Sequence, residues 1–154
     1  MNSHPNERSV EVSLRRQFAA SPERLFQAWT DPDILAQWWG PPGSQVNFVE
    51  IDLREGGQYR IGITQPNGAV YFVYGIYKIV KPPQKLAFTW RWEQPEMDVG
   101  NSLVTISFEA QTQTDNIATE VILTHTQLPN ETARSAHREG WIGILENLSN
   151  FLQK

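Results

Sequence analysis

Cysteine is absent from the 154 residues, so the chain can form no disulfide, no thiolate metal site and no cysteine nucleophile. Long apolar runs are absent as well, since none approaches the roughly 20 residues that a membrane-spanning helix needs. The polar first residues also lack the apolar core of a signal peptide. We therefore expect no membrane span and a cytoplasmic location.

Positive charge is scarce. The chain has 13 basic and 17 acidic residues, a net charge of −4. The close basic pair Arg15-Arg16 lies on a predicted strand, where adjacent side chains point to opposite faces. No basic patch of the kind that binds nucleic acid is present, so we expect no nucleic-acid partner.

Recognisable catalytic and cofactor motifs are missing too. The sequence has no nucleophile-elbow motif, no P-loop and no dinucleotide fingerprint. His125 and His137 stand apart from other metal ligands, whereas metal sites need clustered ligands. We expect neither a metal nor a cofactor.

Tryptophan, in contrast, is abundant, with 6 residues in a chain long enough for one domain with a sizeable core. Such large rings are usually packed inside, which points to a core or a pocket with aromatic walls. Residues 1–9 are polar and predict a flexible tail, and residues 10–154 predict a single domain.

The first part of that domain predicts a strand and two short helices. Apolar residues alternate from Val10 to Phe18, as in a strand with one buried face. Ser21-Pro22-Glu23 then has the residue types of a helix start. Asp31-Pro32-Asp33 breaks this helix, and a second short helix is expected to carry Trp38 and Trp39.

From Val46 onwards the pattern has a period of two, typical of strands. Turn signals such as Gly56-Gly57 and Pro82-Pro83 separate the apolar stretches. No helical stretch intervenes, so the strands should form an antiparallel meander. The expected strands are 46–53, 58–64, 69–80, 85–92, 102–110 and 119–126.

A final helix is predicted after Asn130, which can cap it, and should run to about Leu152. Apolar residues recur along it at spacings of three and four, so one face should be buried. A sheet with one apolar face and one long amphipathic helix can bury both surfaces if the sheet curls around the helix. We predict an α+β fold in which the two short helices close one end.

Four motifs in this order carry a family resemblance: Trp38-Trp39-Gly40-Pro41, Asp52-Leu53-Arg54-Glu55-Gly56-Gly57, Pro82-Pro83-Gln84-Lys85-Leu86-Ala87-Phe88-Thr89-Trp90 and Gly140-Trp141. Together they resemble bacterial proteins related to the C-terminal domain of the activator of Hsp90 ATPase, within the START-like (Bet v 1-like) superfamily. The resemblance extends from about Val12 to Leu152. It implies a helix-grip fold, in which a curved antiparallel sheet of about seven strands wraps around a long C-terminal helix over a cavity.

Residues that combine large rings or polar atoms with an inward position are candidates for the wall of that cavity. Trp38 and Trp39, adjacent on a helix, should point about 100° apart, one into the core and one to the rim. His125 shares a strand face with Val121 and Leu123, and is interpreted as a satisfied buried residue or a site residue. The full set of candidates is Trp38, Trp39, Tyr59, Tyr71, Phe88, Trp90, His125, His137, Trp141 and Leu145.

Strand 69–80 has apolar residues on both faces, for example Tyr77 on one and Ile76 on the other. A one-sided sheet would leave one set exposed. Either a second copy of the chain covers the outer face, giving a homodimer, or the sheet is tightly wrapped. Glu50 shares alternation with Val46 and Phe48, so an inward position paired with Arg60 or Arg54 is a further expectation.

Three functional hypotheses follow. The first is a module that binds an apolar small molecule, such as a lipid, polyketide-like or aromatic compound, between sheet and helix. The second is a cyclase- or hydratase-like enzyme that uses His125, His137, Glu50 or Tyr59 as acid or base. The third, suggested by the resemblance, is a co-chaperone-like module that interacts with an Hsp90-like ATPase. The first fits the residues best, and the third ranks last.

Overall fold

The computed structural model describes residues 10–112 and 116–154. The predicted tail, residues 1–9, lies outside the described residues. Two short helices follow the first strand, six further strands come next, and a long helix ends the chain, as expected. The elements are β1 (Val10–Phe18), α1 (Pro22–Thr30), α2 (Pro32–Leu35), β2 (Gln45–Ile51), β3 (Gln58–Thr64), β4 (Val70–Lys81), β5 (Lys85–Trp92), β6 (Ser102–Ala110), β7 (Thr119–Leu128) and α3 (Glu131–Leu152).

The strands form one seven-stranded curved sheet in the order β1-β7-β6-β5-β4-β3-β2, with antiparallel neighbours throughout. Strands β2 to β7 are a meander, whereas β1 pairs with the last strand. The chain must therefore cross from one sheet edge to the other after β1, and α1 and α2 make this crossing. The predicted helix-grip architecture is confirmed.

Side-chain caps set the helix ends. Ser21 Oγ accepts a hydrogen bond from Arg24 N at 3.1 Å at the start of α1. Asp31 ends α1 and begins α2, since its carboxylate accepts from Asp33 N at 2.9 Å. Asn130 Oδ1 accepts from Ala133 N at 2.8 Å and caps α3. These bonds satisfy backbone donors that have no partner inside a helix.

The core lies between α3 and the concave face of the sheet. The helix buries one stripe, Trp141, Ile144, Leu145, Leu148 and Leu152. Alternate residues of the central strands are fully buried and belong to the same cluster, among them Val104, Ile106, Val121 and Leu123. Alternation in the strands and helical spacing in α3 thus produce two apolar surfaces that bury each other.

The expected inward position of Glu50 is wrong. Strand β2 has an irregular register between Val46 and Phe48, and such a bulge shifts every later side chain to the other face. Val49 and Ile51 therefore pack against the core, while Glu50 is exposed. Of its two expected partners, Arg60 pairs instead with Glu93, and Arg54 pairs with Asp52.

The expected division of Trp38 and Trp39 between core and rim is also wrong, because both are buried. Helix α2 ends at Leu35, so the two tryptophans lie in the turn that follows it and helical spacing does not apply. Trp38 Nε1 donates to the carbonyl of Ala28 at 3.0 Å and so packs beneath α1. Trp39 packs towards the sheet and α3.

The outer face of the sheet is partly apolar, as the sequence of strand β4 indicates. Val70, Tyr74 and Ile76 are among the exposed large hydrophobic residues. The guanidinium of Arg60 lies 3.9 Å from the ring centroid of Phe72 and covers part of this face. Whether a second copy of the chain covers the rest stays a prediction. None of the described helices is long and apolar enough to cross a membrane.

Two glycines of α3 provide a matched test of how closely the helix packs on the loop that carries Pro42. A Cβ at Gly143 would lie 2.7 Å from Pro42 Cδ, whereas a Cβ at Gly140 would meet no heavy atom within 4 Å. Gly140→Ala should raise the free energy of unfolding by about 1 kcal/mol through helix propensity. Gly143→Ala should be less stable than Gly140→Ala by about 2 kcal/mol, because the rigid proline must move.

Urea denaturation of both variants, followed by tryptophan fluorescence, measures this difference. Equal stabilisation by the two substitutions would show that α3 does not pack closely on the loop that carries Pro42.

Candidate functional site

A cavity of about 700 Å³ lies between the N-terminal half of α3, the end of β5 and the loop that joins β5 to β6. Its volume is within the usual range for small-molecule sites. Several of its residues, including Glu96 and Ala136, are exposed, so it opens to the surface. The wall consists of Trp39, Pro41, Ile63, Gln65, Trp90, Trp92, Glu96, Met97, Asp98, Val99, Pro129, Asn130, Thr132, Ala133, Ala136, His137, Gly140, Trp141 and Ile144.

All six tryptophans of the chain belong to one contact network, which we call the tryptophan cluster: Trp29, Trp38, Trp39, Trp90, Trp92 and Trp141. Trp90 and Trp141 are its closest pair across the sheet–helix interface, with ring centroids 4.9 Å apart. Most contacts are edge-to-face or tilted, the arrangements that aromatic quadrupoles favour. Four members, Trp39, Trp90, Trp92 and Trp141, line the cavity.

The interior on the other side of Trp39 is almost filled. The void there measures only about 20 Å³, and Trp39 is in the wall of both spaces. Tyr59, Tyr77 and Phe88 occupy this end, with ring centroids 5.3–6.1 Å apart. Trp39 therefore divides a packed half of the interior from an open half.

His125 is completely buried behind the cavity wall, and both of its ring nitrogens are bonded. Trp141 Nε1 donates to His125 Nδ1 at 3.1 Å. An indole N–H can only donate, so the imidazole proton is on Nε2, which donates to Ser102 Oγ at 2.8 Å. Ser102 Oγ in turn donates to the carbonyl of Trp90 at 2.8 Å.

This hydrogen-bond chain holds His125 neutral. Burial, and to a smaller extent the nearby His137, lowers the pKa of His125 to about 3. A charged imidazole would be desolvated, and a proton on Nδ1 would break the bond from Trp141. His125 is thus a polar link within the core with no free ring nitrogen.

His137 repeats the arrangement at the cavity wall. Trp92 Nε1 donates to His137 Nε2 at 3.2 Å, and Nδ1 donates to the carbonyl of Ala133 at 2.8 Å. Burial lowers the pKa of His137 below its usual value, so this imidazole is neutral at pH 7. Two tryptophan–histidine pairs, one behind the wall and one in it, therefore carry no charge.

Among the described residues, the indole Nε1 atoms of Trp29 and Trp90 are buried without a hydrogen-bond partner. A buried unpaired donor costs stability, so each such atom in a folded protein needs an explanation. Trp90 is a residue of the cavity wall, but its Nε1 atom is itself buried, so this unpaired donor does not open onto the cavity.

The charged residues of the cavity wall are acidic. Asp98 forms a two-point ion pair with Arg91, in which Arg91 Nε is 3.1 Å from Asp98 Oδ1. This guanidinium lowers the pKa of Asp98. Glu96 is exposed and forms no ion pair with a described residue.

The structure brings together four of the ten predicted wall residues, Trp39, Trp90, His137 and Trp141, at the large cavity. Tyr59 and Phe88 border the small void, and Tyr71 lies near the turn between β3 and β4. Trp38 borders a separate polar groove beside the end of α3, and His125 and Leu145 are buried in the core. Whether any of them contacts a ligand stays a prediction.

Sequence reasoning missed two contributions to the wall. Strand alternation predicts Trp92 on the same inward face as Trp90, but Trp92 is not among the candidate wall residues. The loop 93–101 supplies Glu96, Met97, Asp98 and Val99, and it has no period that would predict which side chains face the cavity.

The remaining acid–base candidates lie away from the cavity. The Tyr59 hydroxyl donates to the carbonyl of Thr89 at 2.6 Å, and burial raises its pKa well above the usual value. Glu50 borders a shallow pocket on the outer face of the sheet. Within residues 10–112 and 116–154, no group of three or more potential ligands is placed to hold a metal ion.

The seven-stranded sheet that grips a C-terminal helix beside a cavity defines a helix-grip protein. The family model described as "Activator of Hsp90 ATPase homolog 1-like protein" matches residues 19–153. The chain belongs to this family, as the motifs indicate.

Solved structures agree with this assignment. A protein named AHSA1 from Silicibacter pomeroyi is 33% identical, with a TM-score of 0.79 over 93% of this chain and 97% of that one. A protein from Chromobacterium violaceum is 23% identical, with a TM-score of 0.83 over 94% and 98%. An HSP90 activator from Plasmodium falciparum is 24% identical, with a TM-score of 0.68 over 94% and 96%. The last two show the fold alone, and no match is found among curated proteins.

The neutral state of His125 makes a prediction about acid stability. Its pKa is about 3 in the folded chain and near 6.5 when unfolded, so the unfolded chain binds the extra proton between these values. The contribution of the neutral His125 to the free energy of unfolding is fully present above about pH 6.5. It is lost as the pH falls towards 3, by up to about 5 kcal/mol.

Urea titrations from pH 7 to pH 4 measure the loss, with His125→Gln as the matched variant, because its amide retains a donor and an acceptor but does not titrate. The variant should be less stable at pH 7 and show a flatter dependence on pH. An identical slope in both proteins would contradict the buried neutral imidazole.

Proposed function

We propose that the chain binds an apolar small molecule in the cavity beside α3. The fold and family support a ligand-binding or Hsp90 co-chaperone-like module. The observation that favours ligand binding is the open half of the interior, a space of about 700 Å³ with four indole rings in its wall. A chain that needed only a stable core would gain by filling this half as it fills the other.

Apolar contact should supply most of the affinity. The wall residues between the indoles include Ile63, Val99, Pro129 and Ile144, and the two tryptophan–histidine pairs are internally satisfied. Each buried methylene contributes about 0.8 kcal/mol, which corresponds to roughly a fourfold change in affinity. We therefore expect affinity for primary alcohols to rise with chain length until the cavity is full.

The enzyme hypothesis has less support from the geometry. An acid or base must reach the substrate with a free lone pair or proton. His137 lies in the wall, but both of its ring nitrogens are bonded within the protein. His125 is behind the wall, and the hydroxyl of Tyr59 is bonded to the backbone on the packed side.

Ala136 and Ser135 allow a direct test of the cavity. Both are exposed on α3, but only Ala136 is in the cavity wall. Ala136→Trp should place an indole in the mouth and weaken binding of the neutral fluorophore 1-aminoanthracene by about tenfold or more, whereas Ser135→Trp should leave it unchanged. Fluorescence titration measures both affinities, and thermal unfolding checks that both variants are folded.

Binding that is equally strong in both variants would place the fluorophore elsewhere. No binding by the wild-type protein of 1-aminoanthracene or of alcohols from hexanol to dodecanol would contradict the proposal. Stimulation of an Hsp90 ATPase would then favour the co-chaperone hypothesis.

A further inference from the structure

We propose that the cavity selects organic cations, namely molecules with an apolar body and a positively charged nitrogen group. The inference rests on the proposed function, since it names the class of ligand for the same cavity. It is supported by the composition of the cavity wall, which combines indole rings with carboxylates.

The first observation is the distribution of charge. No lysine or arginine is present in the cavity wall as far as the structure describes the chain, whereas Glu96 and Asp98 are both in it. Asp98 is balanced by Arg91, which lies outside this wall and borders a pocket on the other face of the sheet. Glu96 is exposed and has no described partner, so a full negative charge in the cavity wall is left uncompensated.

The second observation is the nature of the wall. Trp39, Trp90, Trp92 and Trp141 line one space; Trp92 is the half-buried member, and the other three are buried. The indole face carries negative quadrupole potential and is the best aromatic partner for a cation. Quaternary ammonium groups are bound in this way because they are weakly hydrated.

The third observation is the neutral histidine. His137 could have opposed a cation if it were charged, but Trp92 donates to its Nε2 and burial lowers its pKa. The wall therefore contains no positive side chain to repel a cation, and none to pair with the head group of an anion. A carboxylate brought into this space would lose hydration without gaining an ionic partner.

The N-terminus of α3 acts in the opposite direction. Asn130, Thr132 and Ala133 are in the wall, and a helix N-terminus favours anions. Here the Asn130 side chain already accepts from Ala133 N, and the carboxylate of Glu131 in the first turn is paired with Arg134. The capped half-charge of the helix N-terminus is weaker than the full charge of Glu96, so the balance favours cations.

Three ligands with the same ten-carbon chain separate charge from apolar contact: decyltrimethylammonium, decanol and decanoate, each used below its micelle concentration. Displacement of 1-aminoanthracene measures their affinities. We expect the cation to bind about tenfold more tightly than decanol, and decanoate to bind more weakly than either. Raising the salt concentration should reduce the difference between cation and alcohol.

Glu96→Gln should weaken binding of decyltrimethylammonium by about threefold to tenfold and leave decanol within about twofold. The matched control is Glu50→Gln, which removes the same charge from the outer face and should change neither affinity. The loss for Glu96→Gln with retention for Glu50→Gln would support a local effect rather than one of net charge.

The outcomes distinguish the two proposals. If decanol binds and decanoate equals or exceeds the cation, the preference for cations is overturned while the ligand cavity stands. If the two glutamate variants behave alike, the role of Glu96 is overturned. If none of the three ligands displaces the fluorophore, both proposals fail.

Discussion

The structure depends on the hydrogen-bond chain that runs from Trp141 through His125 and Ser102 to the carbonyl of Trp90. It connects α3 to three neighbouring strands, β7, β6 and β5, at the centre of the fold. Each member is buried, so breaking any bond would leave a polar group unpaired in the core. This hydrogen-bond chain therefore fixes the position of α3 relative to the sheet, a position that apolar packing alone specifies less sharply.

This fixed position gives the interior two unequal halves. On one side of Trp39, tyrosine and phenylalanine rings fill the space between the sheet and the short helices. On the other side, small residues of α3 such as Ala133, Ala136 and Gly140 face Trp92 and the loop 93–101, and the space stays open. The contrast between bulky and small side chains at the two ends accounts for one cavity beside a well-packed core.

Most of the architecture could be predicted from the sequence, because it depends on patterns that neighbouring residues repeat. Strand alternation and the helical stripe of α3 predicted the order of elements, and Ser21 and Asn130 marked helix starts that the structure confirms. The same patterns gave wrong predictions where the backbone is locally irregular. The bulge in β2 turns the Glu50 side chain to the outer face of the sheet, and the early end of α2 places both Trp38 and Trp39 in the interior.

The candidate site was harder to predict because it depends on contacts between distant segments. Strand alternation predicted His125 and Trp90 on the inward face of the sheet. It did not indicate that Trp141 would donate a hydrogen bond to the imidazole and keep it neutral. The loop 93–101 has no periodic pattern, and its carboxylates reach the cavity only because β5 and β6 position its two ends. Spacing along the chain specifies a face of an element, not which polar groups meet across a core.

The six indole N–H groups report on the cavity one residue at a time, since each gives its own signal in a ¹⁵N–¹H correlation spectrum. Adding decyltrimethylammonium should shift the assigned signals of Trp39, Trp90, Trp92 and Trp141, which line the cavity, more than those of Trp29 and Trp38, which do not. That pattern would locate the ligand beside α3. No shifts, or shifts confined to Trp38 and Trp39, which both border the separate polar groove, would contradict the account.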